Sequence, residues 1–341
     1  MTEAMNRQVI LSDRPTGIPA PEHFELREAP MAEPGEGQFL VRNIYLSVDP
    51  AMRGWVSAVA NYAEPVAIGA VMRSIAVGEV VASRHGDYAV GDLVCGLFGW
   101  QEYAISDGGD VWFKHDPAMA PMSTALGILG INGLTAYFGL LDVGQPQAGE
   151  TVMVSTAAGA VGSAVGQIAR IQGCRTVGLT GSDDKVARCR DEFGYDVAIN
   201  YKTADLDAAI AEACPDGIDV YFDNTAGAIS DAVYRQLAVG ARCAVCGTAS
   251  LSSWEPWPEG PRLERHILVK RARIQGFLLF DYTDRFAEAR GQLAAWLAEG
   301  KLVYREDVLD GLEAAPGAIE RLYRGENQGK LLIRVGDEPG S

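Results

Sequence analysis

The sequence predicts an α/β chain with two domains: a doubly wound parallel sheet, and a smaller, mostly antiparallel β domain. Two observations carry this. From residue 151 onward, short β-prone runs alternate with stretches of helical periodicity, which is the rhythm of repeated βα units. Between residues 38 and 105 there are instead short β runs separated by Gly and Asp turns such as Val90-Gly-Asp92, with no long helical period. The length of 341 residues accommodates two ordinary domains, each with its own core.

In chain order, a strand is expected at 7–11, followed by a polar, Pro- and Gly-rich surface connection up to residue 36. Strands are expected at 39–48, 76–83, 93–97 and 102–105. Residues 117–141 change to helical spacing through Met122, Leu126, Leu129 and the run 134–141. The alternation then reads as strands at 151–155, 175–179, 197–200, 218–223, 241–247 and 274–280. Helices are expected at 160–172, 183–192, 204–214 and 229–237. Residues 249–265 are too polar and proline-rich for an element and read as a loop, one that borders a site if it lies at the carboxyl end of the sheet. A helix is expected at 285–299, and the tail 302–335 should end in a strand that returns to the first domain.

Composition is that of a globular protein, with 48% hydrophobic and 22% charged residues. The net charge of −16 disfavours nucleic acid and anionic membrane as partners. No stretch of apolar residues is long enough to span a bilayer, and residues 1–12 lack the apolar core of a signal peptide, so a cytoplasmic location is expected. The six cysteines are scattered, as suits free thiols in a reducing compartment. Cys243 and Cys246 form a C-x-x-C, but on a strand their side chains point to opposite faces, and no second pair or nearby histidine accompanies them. The four histidines have no ligand spacing, so no metal site is expected.

The informative stretch is Thr151-Val-Met-Val-Ser155 running straight into Thr156-Ala-Ala-Gly-Ala-Val-Gly-Ser163. After this turn Val161, Val165, Ile168 and Ile171 recur at helical spacing. A strand, a turn of small residues and a helix N-terminus make a dinucleotide site: the backbone can approach a pyrophosphate, and the helix presents free N–H groups and the positive end of its dipole. An NAD site places Asp or Glu at the end of the second strand, about 20 residues past the glycines. Here that end is Leu179-Thr-Gly-Ser182 with Lys185 one turn on, which favours a 2′-phosphate and hence NADP. Asp183 and Asp184 suit the first turn of a helix capped by Ser182.

Several ordered motifs then carry a resemblance: Tyr45-Leu-Ser-Val-Asp-Pro-Ala-Met-Arg-Gly54, the turn at 154–163, Ile199-Asn-Tyr-Lys202, Pro215-Asp-Gly-Ile-Asp-Val-Tyr-Phe-Asp-Asn224, Leu268-Val-Lys-Arg271 and Gly325-Glu-Asn-Gln-Gly-Lys330. Across nearly its whole length the chain resembles the zinc-free medium-chain dehydrogenase/reductases of the prostaglandin reductase / leukotriene dehydrogenase type. The resemblance implies a GroES-like domain over 1–126 and 306–341, with a Rossmann domain over 127–305 that binds NADP(H). It implies NADPH-dependent reduction of the C=C bond of α,β-unsaturated ketones and aldehydes, small-molecule enone or enal substrates, and a homodimer built on the apolar edge run 274–280. A quinone reductase on the same fold, or a non-catalytic NADPH-binding protein, are the alternatives.

By this resemblance, Gly159, Ala160, Val161 and Gly162 match the pyrophosphate turn, and Lys185 and Tyr201 the 2′-phosphate and its ribose. Asn224 matches a residue near the nicotinamide half, Cys246, Gly247, Thr248 and Ser252 the segment after the fifth strand, Phe277, Leu278 and Leu279 the strand flanking the nicotinamide, and Asn327 a contact from the tail. Three departures stand out. Ser252 occupies the position of a family tyrosine, Ala51 follows Asp-Pro where tyrosine is common, and Asn224-Thr-Ala-Gly227 replaces Asn-Val-Gly-Gly. The candidate hydroxyls for stabilising an enolate are Tyr62, Tyr45 and Ser252. Trp100, Trp254 and Trp257 are candidates for a substrate wall, Trp100 equally for core packing.

Overall fold

The computed structural model describes residues 4–58, 62–251 and 258–340. The chain divides into two units, Met1–Gly127 with Glu306–Ser341, and Ile128–Arg305.

The first unit begins with β1 (Met5–Leu11), β2 (Phe24–Pro30), β3 (Phe39–Ser47), the short helix α1 (Ala51–Trp55), β4 (Ala76–Ser83), β5 (Leu93–Gly96), β6 (Tyr103–Ser106) and β7 (Val111–Lys114). The second unit holds α2 (Ile131–Phe138), β8 (Thr151–Ser155), α3 (Ala160–Ile171), β9 (Arg175–Thr180), α4 (Asp183–Asp191), β10 (Val197–Asn200) and α5 (Leu206–Ala213). It continues through β11 (Ile218–Asp223), α6 (Gly227–Arg235), β12 (Leu237–Val245), α7 (Glu264–Lys270), β13 (Arg273–Gly276) and α8 (Phe286–Ala298). The chain then completes the first unit with β14 (Glu306–Asp310), α9 (Ala315–Arg324) and β15 (Lys330–Arg334).

In the first unit the main sheet runs β14-β15-β3-β4-β5-β7, with β6 also on β3. Its pairings are antiparallel except β14 with β15. The tail strand β15 sets Leu332 opposite Ser47 and Arg334 opposite Tyr45. Val41, Leu46, Phe98, Ile319 and Ile333 lie in its core together with Trp100. Trp100 is fully buried and donates its indole N–H to the Ser47 carbonyl at 3.2 Å, so it is a core residue.

In the second unit the sheet is parallel throughout, in the order β10-β9-β8-β11-β12-β13. Counted within the sheet this is 3-2-1-4-5-6, and the direction of winding reverses between β8 and β11. Helices cover both faces of such a sheet, which is why β8, β9 and β11 are almost wholly buried and read as continuous apolar runs rather than alternating ones. At such a reversal, here the carboxyl ends of β8 and β11, α/β sheets bind their ligands.

Four expectations need correction. The connection expected after residue 11 contains β2, paired antiparallel with β1. Of its residues only Phe24 is buried, so it has no alternating apolar signal. The helix expected to reach 237 stops at Arg235, and the buried Leu237 opens β12 opposite Ile218. The strand expected over 274–280 leaves its ladder after Gly276. Leu278 and Phe280 are exposed, and Leu279–Arg285 is a 3-10 segment. The loop expected over 249–265 yields at Glu264 to α7, a helix with no buried residue and hence no apolar stripe to read.

Candidate dinucleotide site

Ser155 ends β8 deep in the sheet, and the turn that follows puts Thr156 at a φ of 55°. Gly159 is the residue before α3, and no side chain caps that helix end. The first N–H groups of α3, at Ala160, Val161 and Gly162, precede the first intrahelical bond, which Ser163 makes to the Gly159 carbonyl at 2.8 Å. Gly162 is dictated by packing: a β-carbon there would stand 2.2 Å from the Thr156 carbonyl oxygen. An uncapped helix start on a turn this close suits a pyrophosphate.

The end of β9 meets the end of β10 at Gly181, where a β-carbon would lie 2.9 Å from the Tyr201 hydroxyl and 3.2 Å from Lys202 Cε. Ser182 caps α4 by accepting the Lys185 N–H, as read from the sequence. Asp183 is engaged by Asn200, whose amide donates to its carboxylate at 2.7 Å. Burial, then the charges of Arg188 and Lys202, push the Lys185 ammonium below its usual range. Lys185 and Lys202 therefore lie close enough to feel each other's charge, and β9 carries no carboxylate to oppose them. The donor set fits a phosphate on the ribose, and Lys202 joins it although sequence reasoning did not single it out.

The turn after β11 is built on Asp223, 1% exposed. Asn224 donates its N–H to Ser155 Oγ at 2.8 Å and its side-chain amide to the Ser155 carbonyl at 2.7 Å, so it sits directly against the end of β8. Cys246 and Gly247 both donate their N–H groups to the Asp223 carbonyl, at 2.8 and 3.1 Å, which brings 246–248 alongside. Ala226 has a φ of 56° and a ψ of −162°, a conformation that glycine alone adopts freely. This is one of the positions where the sequence departs from the family pattern. Replacing Ala226 by Gly is expected to stabilise the protein by about 1 kcal/mol in urea denaturation, the relieved strain exceeding the added chain entropy.

Phe277 is half-buried with its ring 6.2 Å from that of Phe222, and a β-carbon on Gly139 would run into it, so it fills the core beneath the sheet's end. Leu279 is buried and Leu278 exposed. Asn327, in the first unit, closes its own turn on the Gly329 carbonyl at 2.7 Å. Tyr45, also there, donates its hydroxyl to Glu338 at 2.6 Å. Burial and that carboxylate push the phenol above its usual range. Tyr62 is half exposed. Ser252, Trp254 and Trp257 lie outside the described residues.

Among the described residues no three His, Cys, Asp or Glu side chains converge as a metal-ligand group. Residues 7–113 match the family model described as the N-terminal domain of oxidoreductase, and residues 160–295 the one described as zinc-binding dehydrogenase. The chain is 45% identical over 339 residues to an NADPH-dependent curcumin reductase of Escherichia coli, covering 98% of each chain. It is 40% identical over 341 residues to a 2-alkenal reductase (NADP(+)-dependent) of Nicotiana tabacum, covering 98% of this chain and 99% of that one. A crystal structure of CurA in complex with NADPH from Vibrio vulnificus superposes with a TM-score of 0.92 at 43% identity, covering 97% of this chain and all 100% of the other. The chain belongs to the zinc-free medium-chain dehydrogenase/reductase family. It is an oxidoreductase.

All six cysteines of this oxidoreductase are free. Burial pushes the Cys174 and Cys214 thiols up to about 11, and those of Cys189, Cys243 and Cys246 to about 12. At pH 8 the thiolate fraction of these five is then on the order of 0.1% or less. Alkylation of the native protein with iodoacetamide, read by mass spectrometry, is expected to leave these five unmodified, whereas the urea-unfolded chain should react at all six. Rapid native labelling of Cys243 or Cys246 would reopen a redox role for the pair.

Proposed function

We propose that this protein is an NADPH-dependent reductase of the curcumin, alkenal and prostaglandin reductase type, acting on the C=C bond of α,β-unsaturated ketones and aldehydes. The observation that carries the cofactor choice is the meeting of Tyr201 and Lys202 at Gly181, with Lys185 near enough to feel the Lys202 charge and Asp183 held by Asn200. In this reading Gly159 to Gly162 hold the pyrophosphate, Lys185, Tyr201 and Lys202 the 2′-phosphate, and Asn224 with 246–248 orients the nicotinamide half. Bound NADPH supplies a hydride to the electron-poor alkene. The chain's part is to fix the ring against the end of the sheet and to offer hydrogen bonds as negative charge develops on the carbonyl oxygen. Tyr62 and Ser252 are proposed as hydroxyl donors. Tyr45, engaged by Glu338, is proposed instead as part of the sheet that supports α1. The experiment is oxidation of NADPH with a panel of enones, enals and quinones. Turnover of enones is expected, and NADPH binding without turnover of any enone would overturn the reading.

We propose further that two copies pair through the edge of the parallel sheet. In the described sheet β13 has one neighbour, β12, and Leu268, Val269, Leu278 and Phe280, which flank it in sequence, are exposed. An unpaired edge lined with apolar groups is an aggregation hazard unless covered. Light scattering at micromolar concentration should give twice the chain mass; a monomer would contradict the pairing.

A further inference from the structure

We infer that Asp223 is a positioning residue for the nicotinamide half of the site, acting through the turn it anchors; this rests on the cofactor reading above. Its carboxylate is almost wholly buried at the carboxyl end of β11. One oxygen accepts the backbone N–H groups of Thr225 and Ala226, at 2.9 and 2.8 Å, and the Tyr221 hydroxyl at 3.1 Å. The other accepts the Ser230 hydroxyl at 2.7 Å. Among the described residues no Lys, Arg or His forms an ion pair with it. A buried carboxylate without a cation is costly and persists where neutral donors satisfy it. Here two of the donors, at Thr225 and Ala226, belong to the very turn that carries Asn224, and the hydroxyls of Tyr221 and Ser230 reach in from β11 and α6.

That turn is held from a second side. The Thr225 carbonyl accepts the Ser250 N–H at 3.0 Å and its hydroxyl at 2.8 Å, and the Asn224 carbonyl accepts the Ala249 N–H at 3.3 Å. Residues 224–227 and 246–251 are therefore one hydrogen-bonded body, anchored on Asp223 and pressed against Ser155. The left-handed Ala226 stays in place because its N–H is tied to the carboxylate. The hydrogen bonds given for these groups run to β8, β11 and α6, whereas the Lys185 end of the site is built on β9, α4 and β10. Asp223 should accordingly govern one half of the cofactor and leave the other alone.

The test compares NADPH with adenosine 2′,5′-bisphosphate, which carries the phosphate end but no nicotinamide, on wild type and on Asp223→Ala, Asp223→Asn and Ser250→Ala. For Asp223→Ala the Kd of NADPH should rise about tenfold or more, and the emission of the bound reduced ring should fall. The Kd of the bisphosphate should stay within about twofold. Asp223→Asn keeps an oxygen for the two N–H groups and should recover part of the loss. Ser250→Ala should show the same split, smaller, and serves if Asp223→Ala does not fold. Equal losses for both ligands, or unchanged NADPH binding and emission, would overturn the assignment. Failure of the wild type to bind either ligand would instead overturn the cofactor reading itself, and the assignment with it.

Discussion

Replacing Lys330 with methionine is expected to destabilise the first unit by about 3–5 kcal/mol in urea denaturation. Lys330 is 4% exposed and Asp49 3%. The ammonium donates to Asp49 Oδ1 at 2.5 Å, to Ser47 Oγ at 2.6 Å and to the Val48 carbonyl at 3.2 Å. Ser47 in turn donates to the second Asp49 oxygen. Removing the cation leaves a carboxylate buried without its charge partner, the costly case; removing both charges is far less costly, because the desolvation of each disappears with it. The double variant Asp49→Leu, Lys330→Met should therefore recover most of the loss. If the single variant unfolds at the wild-type midpoint, the pair is not the anchor described. The Asp49 carbonyl also accepts the Met52 N–H at 3.1 Å, so the same variant should loosen α1.

The second large effect is on cofactor choice. Lys185→Ala is expected to weaken NADPH by about 1.5–3 kcal/mol, the usual range for a charge-assisted hydrogen bond, or roughly tenfold to a hundredfold in Kd. NADH, which lacks the 2′-phosphate, should bind the variant as it binds wild type. Lys202→Ala should move in the same direction by less, because its side chain is exposed. Burial and the neighbouring charges of Arg188 and Lys202 hold the Lys185 ammonium below its usual range. A phosphate dianion reverses that sign and favours the protonated form, so the preference for NADPH should fade as pH rises past the point where Lys185 loses its proton. Fluorescence titration of both nucleotides across pH checks all three outcomes. Equal losses for NADPH and NADH would show that Lys185 supports the fold and not the phosphate.

Local chemistry made much of this legible. The βα rhythm, the small-residue turn at 156–162 and the bare end of β9 are short-range patterns. Each follows from the period of a helix, the closeness of a turn or the absence of a carboxylate. They led to the parallel sheet and to Lys185 as a candidate for the 2′-phosphate, whereas Tyr201 came only from the family resemblance. Elements without such a pattern were missed. β2 buries one side chain and α7 none, so neither carries a periodic signal. The run 274–280 looked like a strand because it is apolar, but at a sheet edge the ladder ends at Gly276 and the apolar side chains beyond it turn elsewhere.

The sequence by itself determined the fold class, through short-range patterns, and the family, through motifs spread over nearly the whole chain; it also proposed where a pyrophosphate can rest. The tertiary structure alone decided which polar groups serve one another. Ser47 and Asp49 meet Lys330 across some 280 positions because β15 pairs with β3. Ser155 meets Asn224 because β8 and β11 are neighbours where the sheet reverses. A buried charge or amide is satisfied only by whatever the fold brings beside it, and no spacing in the chain encodes that partner.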